Sequence, residues 1–243
     1  MPTDTCFGQG QASLLEGLAA CGFQPRVVLD IGAARAEWSC ATAEIFPHAR
    51  FELFEPLAQR NPDYRRHLRL ALASHERFRL HEFALGEHDA TAPFWVDPGG
   101  VGSSLLLPDS PPEQRADIRV RRLDDLLDSR SIEQPQFIKA DVQGAELSII
   151  RGGRRVFADA DILILEAWLR RAYRQSTPLL HDLTDELTPL GFRLVQFAGF
   201  WRRDDHELCT VDAVYAHRRL IDSLGRDSDA DNWPWPSNWE PQA

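Results

Sequence analysis

The sequence lacks several features that mark specialised classes of protein. It has no apolar run near the ~20 residues that cross a membrane, and no basic and apolar leader of the kind that directs secretion. Its cysteines are scattered without Cys-x-x-Cys spacing, which favours reduced thiols over a zinc site or a disulfide framework. They are Cys6, Cys21, Cys40 and Cys209. We expect a cytoplasmic protein without a membrane span.

Positive charge is also scarce. The chain has 27 Lys and Arg against 37 Asp and Glu, a formal net charge of −10. A protein that wraps nucleic acid needs a basic face, so nucleic acid is not an expected partner. Its 243 residues, 43% of them hydrophobic, are enough for one α/β domain with a substantial core.

The most informative stretch is an apolar strand, Val27–Ile31, that runs into Gly32 and then into a helix from about Glu37. A strand, a small-residue turn and a helix N-terminus form a cradle for nucleotide-like ligands, because backbone N–H groups face the ligand. The next strand, 51–54, ends at Glu55, whose two oxygens can accept both hydroxyls of a ribose. An adenosine-containing ligand is therefore expected.

Strands and helices alternate along most of the chain, which predicts a mainly parallel sheet. The predicted strands lie near 27–31, 51–54, 78–85, 137–142, 162–166, 192–200 and 210–216. The predicted helices lie near 11–21, 37–46, 57–68, 123–127, 144–157 and 179–190. The last two strands, joined by a short loop, indicate an antiparallel hairpin at one edge of the sheet.

Two segments depart from this alternation. Residues 87–123 are rich in proline and contain a Gly99-Gly100-Val101-Gly102 turn, which predicts a hairpin inserted as a flap or lid. Residues 221–243 form an acidic tail with tryptophan and proline, and proline there argues against a helix. We treat 1–220 as a single domain.

Several motifs of this chain resemble those of the FkbM family of S-adenosylmethionine-dependent methyltransferases. The family pattern D-[VI]-G-A-N-x-G-x-x-[ST] matches Asp30 to Ser39, with alanine at 34 and 36 where the family usually has asparagine and glycine. The other matching motifs are Glu55-Pro56, Leu123-Asp124-Asp125-Leu126, Lys139-Ala140-Asp141-Val142-Gln143-Gly144-Ala145-Glu146, Glu166 and Asp212-Ala213-Val214-Tyr215. Six motifs in the right order are more specific than a glycine turn alone.

The resemblance implies a Rossmann-like class I methyltransferase fold. Such a fold has a mostly parallel seven-stranded sheet with an antiparallel edge strand and helices on both faces. It also implies transfer of methyl from S-adenosyl-L-methionine to a hydroxyl of a small-molecule or glycan acceptor, such as a sugar or a secondary metabolite. A homo-oligomer is a further expectation.

The resemblance also assigns cofactor-binding residues. The first turn is expected to supply Asp30, Gly32, Ala33 and Ser39, and Glu55 is expected to bind the ribose. Phe83 and Ala84 are expected to form the walls of an adenine pocket because they lie at the end of the third predicted strand. Asp30 either anchors the turn or binds the amine of the methionine part. Phe83 and Ala84 are equally consistent with ordinary core.

Asp141 is the candidate catalytic residue, as a base or as the group that orients the acceptor hydroxyl. The position of Glu146 at a helix start is explained by the helix dipole alone. Lys139 either neutralises Asp141 or faces solvent. The alternative bases are His81, His181 and His206. No cluster has metal-ligand spacing, so no metal site is predicted, although acids on one rim could hold Mg²⁺.

The two alanines in the first turn bear on the competing functions. We expect Ala36 to have helical backbone geometry, which alanine adopts without strain. A positive φ would strain this residue by ~1 kcal/mol or more.

A dinucleotide dehydrogenase would need G-x-G-x-x-G, but Gly32 is followed by Ala34 and Arg35. A degenerate adenosyl-binding interaction module remains an alternative, because Ala34 and Ala36 depart from the family pattern.

Overall fold

The computed structural model describes residues 9–97, 102–109 and 114–224. The strands are β1 (Val27–Ile31), β2 (Arg50–Phe54), β3 (Phe78–His81), β4 (Ala84–Leu85), β5 (Ala90–Trp95), β6 (Arg115–Arg121), β7 (Phe137–Ala140), β8 (Ile162–Trp168), β9 (Phe192–Arg202) and β10 (Leu208–His217). The helices are α1 (Gln9–Ala20), α2 (Glu37–Ile45), α3 (Pro62–Ser74), α4 (Leu123–Asp128), α5 (Glu146–Gly152), α6 (Arg154–Ala158), α7 (Leu180–Leu187) and α8 (Arg218–Ser223).

A seven-stranded sheet organises the molecule, in the order β3-β2-β1-β7-β8-β10-β9. Its strands pair in parallel except at β10, which is antiparallel to both β8 and β9. This confirms the predicted fold class. Asp30 lies beside Leu53 of β2 and Lys139 of β7, so the carboxyl ends of the three central strands meet at one edge.

The core lies on both faces of this sheet. Val28 belongs to one apolar cluster, while its neighbours Val27 and Leu29 belong to the other. Successive side chains of a strand point to opposite faces. Because helices cover both faces, all five residues of β1 are buried, as expected for a central parallel strand.

The structure differs from the predicted elements at four places. The single strand predicted at 78–85 is two strands, since β4 leaves the main sheet to pair with β6 in a three-stranded sheet, β4-β6-β5. The helix predicted at 57–68 begins at Pro62, because the Asn61 side chain accepts the N–H groups of Asp63 and Tyr64 as an N-cap.

The helix predicted at 144–157 is interrupted at Gly153, which separates α5 from α6. A Cβ at this position would lie 2.9 Å from Leu123 of α4, so the close packing of α4 requires glycine here. The insert contains the predicted antiparallel hairpin, β5 with β6. The tail predicted from residue 221 also differs, because α8 continues to Ser223 and buries Leu220 and Ile221. The predicted Gly99-Gly100-Val101 part of the insert's turn, and the tail from residue 225, lie outside the described residues.

Candidate functional site

A cavity opens at the carboxyl edge of the sheet, where the strand order predicts ligand binding. The space between its walls is about 1050 Å³, a volume that includes open solvent at the mouth. Its walls come from the first turn, the segments after β2, β3 and β7, and the insert. They include Gly32, Ala33, Ala34, Trp38, Phe54, Glu55, Leu57, Tyr64, Phe83, Ala84, Leu85, Phe94, Ser103, Leu105, Lys139, Asp141, Gln143 and Ala145.

The first turn requires glycine at position 32. Gly32 has φ +82°, and a Cβ there would lie 2.0 Å from the backbone oxygen of Asp141. Both the left-handed backbone and the close approach of the loop after β7 therefore exclude a side chain. The two loops that form the floor of the cavity touch at this point.

The expectation of helical geometry at Ala36 is wrong. Ala36 has φ +60° and Ala34 has φ +47°, both in the left-handed region. A left-handed conformation costs an L-residue about 1–2 kcal/mol. Asparagine and glycine, which the family usually carries at these two positions, are the residues that adopt it most readily. The departure from the family pattern is therefore a source of local strain.

Asp30 and Ser39 lie behind the wall of the cavity. Both are fully buried, and the Ser39 hydroxyl donates to Asp30 Oδ2 at 2.7 Å. Lys139 Nζ lies 3.3 Å from Asp30 Oδ1 and donates to the Gly32 oxygen at 3.3 Å. Lys139 is thus buried rather than solvent-facing, and it compensates Asp30 more closely than Asp141, whose Oδ2 is 4.0 Å away.

Glu55 is buried at the tip of β2 and lines the cavity. Its Oε2 accepts the Ala34 N–H at 2.9 Å and its Oε1 accepts the Leu57 N–H at 2.8 Å. Burial raises the pKa of Glu55 to about 7, although the two N–H donors favour the charged form. Each oxygen retains a second acceptor position, as two adjacent hydroxyls would require.

The apolar part of the cavity lies next to Glu55. Phe83 and Ala84 both line it, together with Phe54 and Leu85. Phe83 packs edge-on against Phe54, with ring centroids 5.9 Å apart. The rings of Phe54 and Phe83 offer flat, apolar surfaces in this part of the cavity.

Asp141 follows β7 and is 38% exposed, lining the cavity. The Gln143 amide nitrogen donates to Asp141 Oδ1 at 3.1 Å and to Glu166 Oε1 at 3.3 Å. Gln143 has a left-handed backbone, φ +58°. Its Oε1 accepts a long hydrogen bond from the Tyr173 hydroxyl at 3.4 Å.

Two further acids lie close to Asp141. The Glu146 carboxylate accepts the N–H groups of Val142 and Gly144 on one oxygen, Oε1. Burial raises the pKa of Glu146 to about 7, and burial together with the charge of Asp141 raises the pKa of Glu166 well above its usual range. Such clustering of acids with raised pKa values is typical of functional sites.

The histidines considered as alternative bases lie elsewhere. His81 is buried against Glu52, with 2.6 Å between Nε2 and Oε2, while His181 and His206 are exposed. Among residues 9–97, 102–109 and 114–224, no group of His, Cys, Asp and Glu could hold a metal ion. Within the same ranges, no helix is long and apolar enough to span a membrane.

Sequence reasoning missed part of the cavity wall. Trp38 lies in the first turn of α2 and lines the cavity. Its closeness in sequence to the Gly32 turn could have predicted this position. Gln143 belongs to the motif that includes Asp141, but its contact with Glu166 depends on the pairing of β7 with β8. No local sequence pattern marked Phe94 and Leu105 of the insert as residues of the cavity wall.

Comparisons with known proteins identify the family of the chain. The family model described as the methyltransferase FkbM domain matches residues 30–194. The chain belongs to this family. Residues 30–194 therefore form a methyltransferase FkbM domain. Comparison with the curated proteins gives no significant match.

Solved structures similar to this FkbM domain include the methyltransferase FkbM from Methylobacillus flagellatus KT, at 22% identity and a TM-score of 0.50. The match covers 79% of this chain but 43% of that one, so the chain spans less than half of its relative.

Two more distant structures are also similar. A precorrin-6y C5,15-methyltransferase from Geobacter metallireducens GS-15 is 16% identical (TM-score 0.44; 88% and 89% covered). A Burkholderia thailandensis 1,6-didemethyltoxoflavin-N1-methyltransferase, solved with S-adenosylhomocysteine, is 14% identical (TM-score 0.42; 86% and 79% covered).

Proposed function

We propose that the protein transfers the methyl group of S-adenosylmethionine to a hydroxyl of a small acceptor, such as a sugar, a glycan or a secondary metabolite. The observation that carries the proposal is one cavity that joins a buried carboxyl suited to a ribose, Glu55, to a partly exposed carboxylate suited to an acceptor, Asp141. A hydroxyl acceptor loses a proton on methylation, which gives Asp141 a function.

The residues of the cavity fit the chemistry of the donor. Glu55 would bind the ribose diol through its free acceptor positions, and Phe83 with Ala84 would pack against the adenine. The turn at Gly32 brings backbone close to the methionine part. Asp30, paired with Ser39 and Lys139, would act by anchoring that turn, because its carboxylate is fully buried.

The bound donor supplies a methyl group on a positively charged sulfur. Asp141 Oδ2 would accept the proton of the acceptor hydroxyl while the new O–C bond forms and the S–C bond breaks, leaving a neutral thioether. Gln143 would hold Asp141 Oδ1 and so fix the direction of the other oxygen. Correct positioning of the acceptor oxygen can supply much of the rate.

Titration calorimetry with S-adenosylhomocysteine tests the ribose assignment. In Glu55→Ala we expect binding weaker by about 150-fold or more, because each of the two hydrogen bonds to a charged group contributes about 1.5–3 kcal/mol. Glu76→Ala, at an exposed acid outside the cavity, is the control and should bind like wild type. Wild-type affinity in a folded Glu55→Ala variant would remove the ribose role.

Single-turnover methylation tests the role of Asp141, once an acceptor has been found by radiolabelled methyl transfer to candidate sugars and metabolites. Asp141→Asn keeps the shape and the acceptor oxygen for Gln143 but cannot accept a proton. We expect a rate about 10²–10⁴-fold lower with donor-product affinity largely unchanged. A near-normal rate would show that Asp141 is not the base.

A further inference from the structure

Gln143 connects the loop after β7 to three other segments of the chain. Its amide nitrogen bridges two carboxyls, Asp141 Oδ1 at 3.1 Å and Glu166 Oε1 at 3.3 Å. Asp141 follows β7, and Glu166 lies within β8. Because one nitrogen serves both carboxyls, a rotation of the Gln143 side chain would change the direction of the Asp141 carboxylate. The groups that hold Gln143 therefore bear on the chemistry of Asp141.

The backbone of Gln143 is held by the insert. Gln143 has φ +58° and the following Gly144 has φ +99°, so a residue with a side chain lies in the left-handed region. An unfavourable conformation of this kind persists where its surroundings impose it. The hydroxyl of Ser104, a fully buried residue, donates to the Gln143 oxygen at 2.8 Å. This contact fixes the peptide group between Gln143 and Gly144.

Ser104 is itself fixed by the segment that carries it, residues 102–109, which we call the strap. Its backbone exchanges two hydrogen bonds with Trp95 of β5, at 2.9 and 3.1 Å. Its hydroxyl also accepts the Leu106 N–H at 3.0 Å. Leu106 packs on Gly144, where a Cβ would lie 2.8 Å from Leu106 Cδ1. The strap is thus attached both to β5 and to the loop that carries Asp141.

The side chain of Gln143 is held by the loop after β8, residues 169–179. The Tyr173 hydroxyl donates a long hydrogen bond to Gln143 Oε1 at 3.4 Å, while Nε2 is directed at the two carboxyls. Tyr173 is buried and packs edge-on against Trp168, with ring centroids 5.5 Å apart. The Gln143 amide is therefore oriented through both its oxygen and its nitrogen.

The loop after β8 has an unusual backbone where it meets Gln143. Residues 173–175 have φ values of +49°, +55° and +64°, all in the left-handed region. The Thr177 hydroxyl closes the loop, since it accepts the Ala172 N–H at 2.7 Å and donates to the Ala172 oxygen at 2.6 Å. The Arg174 N–H donates to Asp109 Oδ1 of the strap at 2.7 Å. Strained residues of this kind cluster at functional sites, and here they place Tyr173 at Gln143.

We propose that Ser104 and Tyr173 are positioning residues, which hold Gln143 and through it orient the Asp141 carboxylate towards the acceptor. This inference rests on the proposed function for the role of Asp141. Neither Ser104 nor Tyr173 belongs to the cavity wall, so both act through Gln143 rather than by contact with a ligand. Two segments that are distant in the chain thus determine the direction of one carboxylate.

Nuclear magnetic resonance of the isotope-labelled full chain tests these contacts without any ligand. The side-chain amide signal of Gln143 is identified by its absence in Gln143→Leu. We expect the amide protons to exchange with solvent about three- to tenfold faster in Ser104→Ala and in Tyr173→Phe. Each variant loses one hydrogen bond that holds Gln143.

Two variants provide matched controls. Ser148→Ala removes a hydroxyl that accepts the Glu87 N–H at 3.0 Å, and Tyr215→Phe removes a hydroxyl that shares a hydrogen bond of 2.8 Å with Thr184. Neither Ser148 nor Tyr215 lines the cavity. We expect both controls to show the Gln143 amide exchange and the methylation rate of wild type.

Single-turnover methylation tests the effect on Asp141. The donor is S-adenosylmethionine, and the acceptor is the compound identified by radiolabelled methyl transfer. With both saturating, we expect Ser104→Ala and Tyr173→Phe to react about three- to tenfold more slowly, with an unchanged half-saturating acceptor concentration. In an Asp141→Asn background neither substitution should slow the reaction further, because the group that they position is gone.

The outcomes separate this inference from the proposed function. Gln143 amide exchange within twofold of wild type in both variants would overturn the positioning role. Rate losses that persist in the Asp141→Asn background would also overturn it, because the two residues would then act by another route. If exchange is faster but Asp141→Asn reacts at the wild-type rate, the base assignment fails, and the orientation of Asp141 fails with it, while the contacts of Gln143 stand.

Discussion

Replacement of Lys139 by methionine should destabilise the protein strongly, because it leaves a buried carboxylate without its cation. Lys139 Nζ lies 3.3 Å from Asp30 Oδ1, and both side chains are buried. Two unit charges at this distance attract by about 5 kcal/mol at an effective dielectric constant of about 20. Desolvation offsets part of this in the intact pair, but removing one partner of a buried pair typically costs about 3–5 kcal/mol.

The magnitude can be measured by a double-mutant cycle in urea denaturation at constant pH. The cycle uses Lys139→Met, Asp30→Asn and the double variant. We expect Lys139→Met to cost about 3–5 kcal/mol and the double variant to cost less, because it removes the uncompensated charge. As a matched control, Arg203→Ala breaks an exposed ion pair with Asp205 and should cost under about 1 kcal/mol.

The double-mutant cycle also gives a clear refutation. If Lys139→Met costs less than about 1 kcal/mol, or if the two single effects simply add, the pair is not coupled through a poorly solvated interior. The ion-pair account of Asp30 would then be wrong, and its carboxylate would be held by Ser39 alone.

Three further predictions concern the loops around the cavity. Gly32→Ala should abolish donor-product binding in calorimetry, and a folded variant that binds like wild type would contradict the 2.0 Å approach to Asp141. Ala34→Asn should raise the free energy of unfolding by about 1 kcal/mol by relieving left-handed strain; an unchanged urea midpoint would argue against strain. Burial raises the pKa of Glu146 to about 7, so the native state holds a proton that the unfolded chain releases from about pH 4.5 upward, and stability falls as pH rises through this window. Glu146→Gln keeps an oxygen for the Val142 and Gly144 N–H groups. Relative to wild type, this variant should gain no stability near pH 4 and at most about 3 kcal/mol above pH 7. A difference in urea midpoint between variant and wild type that is the same at pH 4 and pH 8 would refute the prediction.

Local pattern in the sequence was sufficient for the main sheet. The predicted bounds of β1 agree with the structure, because four of its five residues are apolar, as is typical of a strand buried on both faces. Gly32 followed directly by a helix start predicted a ligand turn, and Glu55 at the next strand end predicted a carboxylate in the cavity wall. These features depend on residues that are neighbours in the chain, so their pattern is visible there.

Tertiary structure alone decided the partners of these residues. Lys139 reaches Asp30 because β1 and β7 are adjacent in register, and a single strand pattern carries no information on register between distant segments. Ala36 is left-handed because the turn must bring the glycine backbone against the loop after β7, which overrides the helical preference of alanine. Leu105 lines the cavity next to Ser104, which is bound to Gln143 and to Trp95, contacts between segments that share no local pattern.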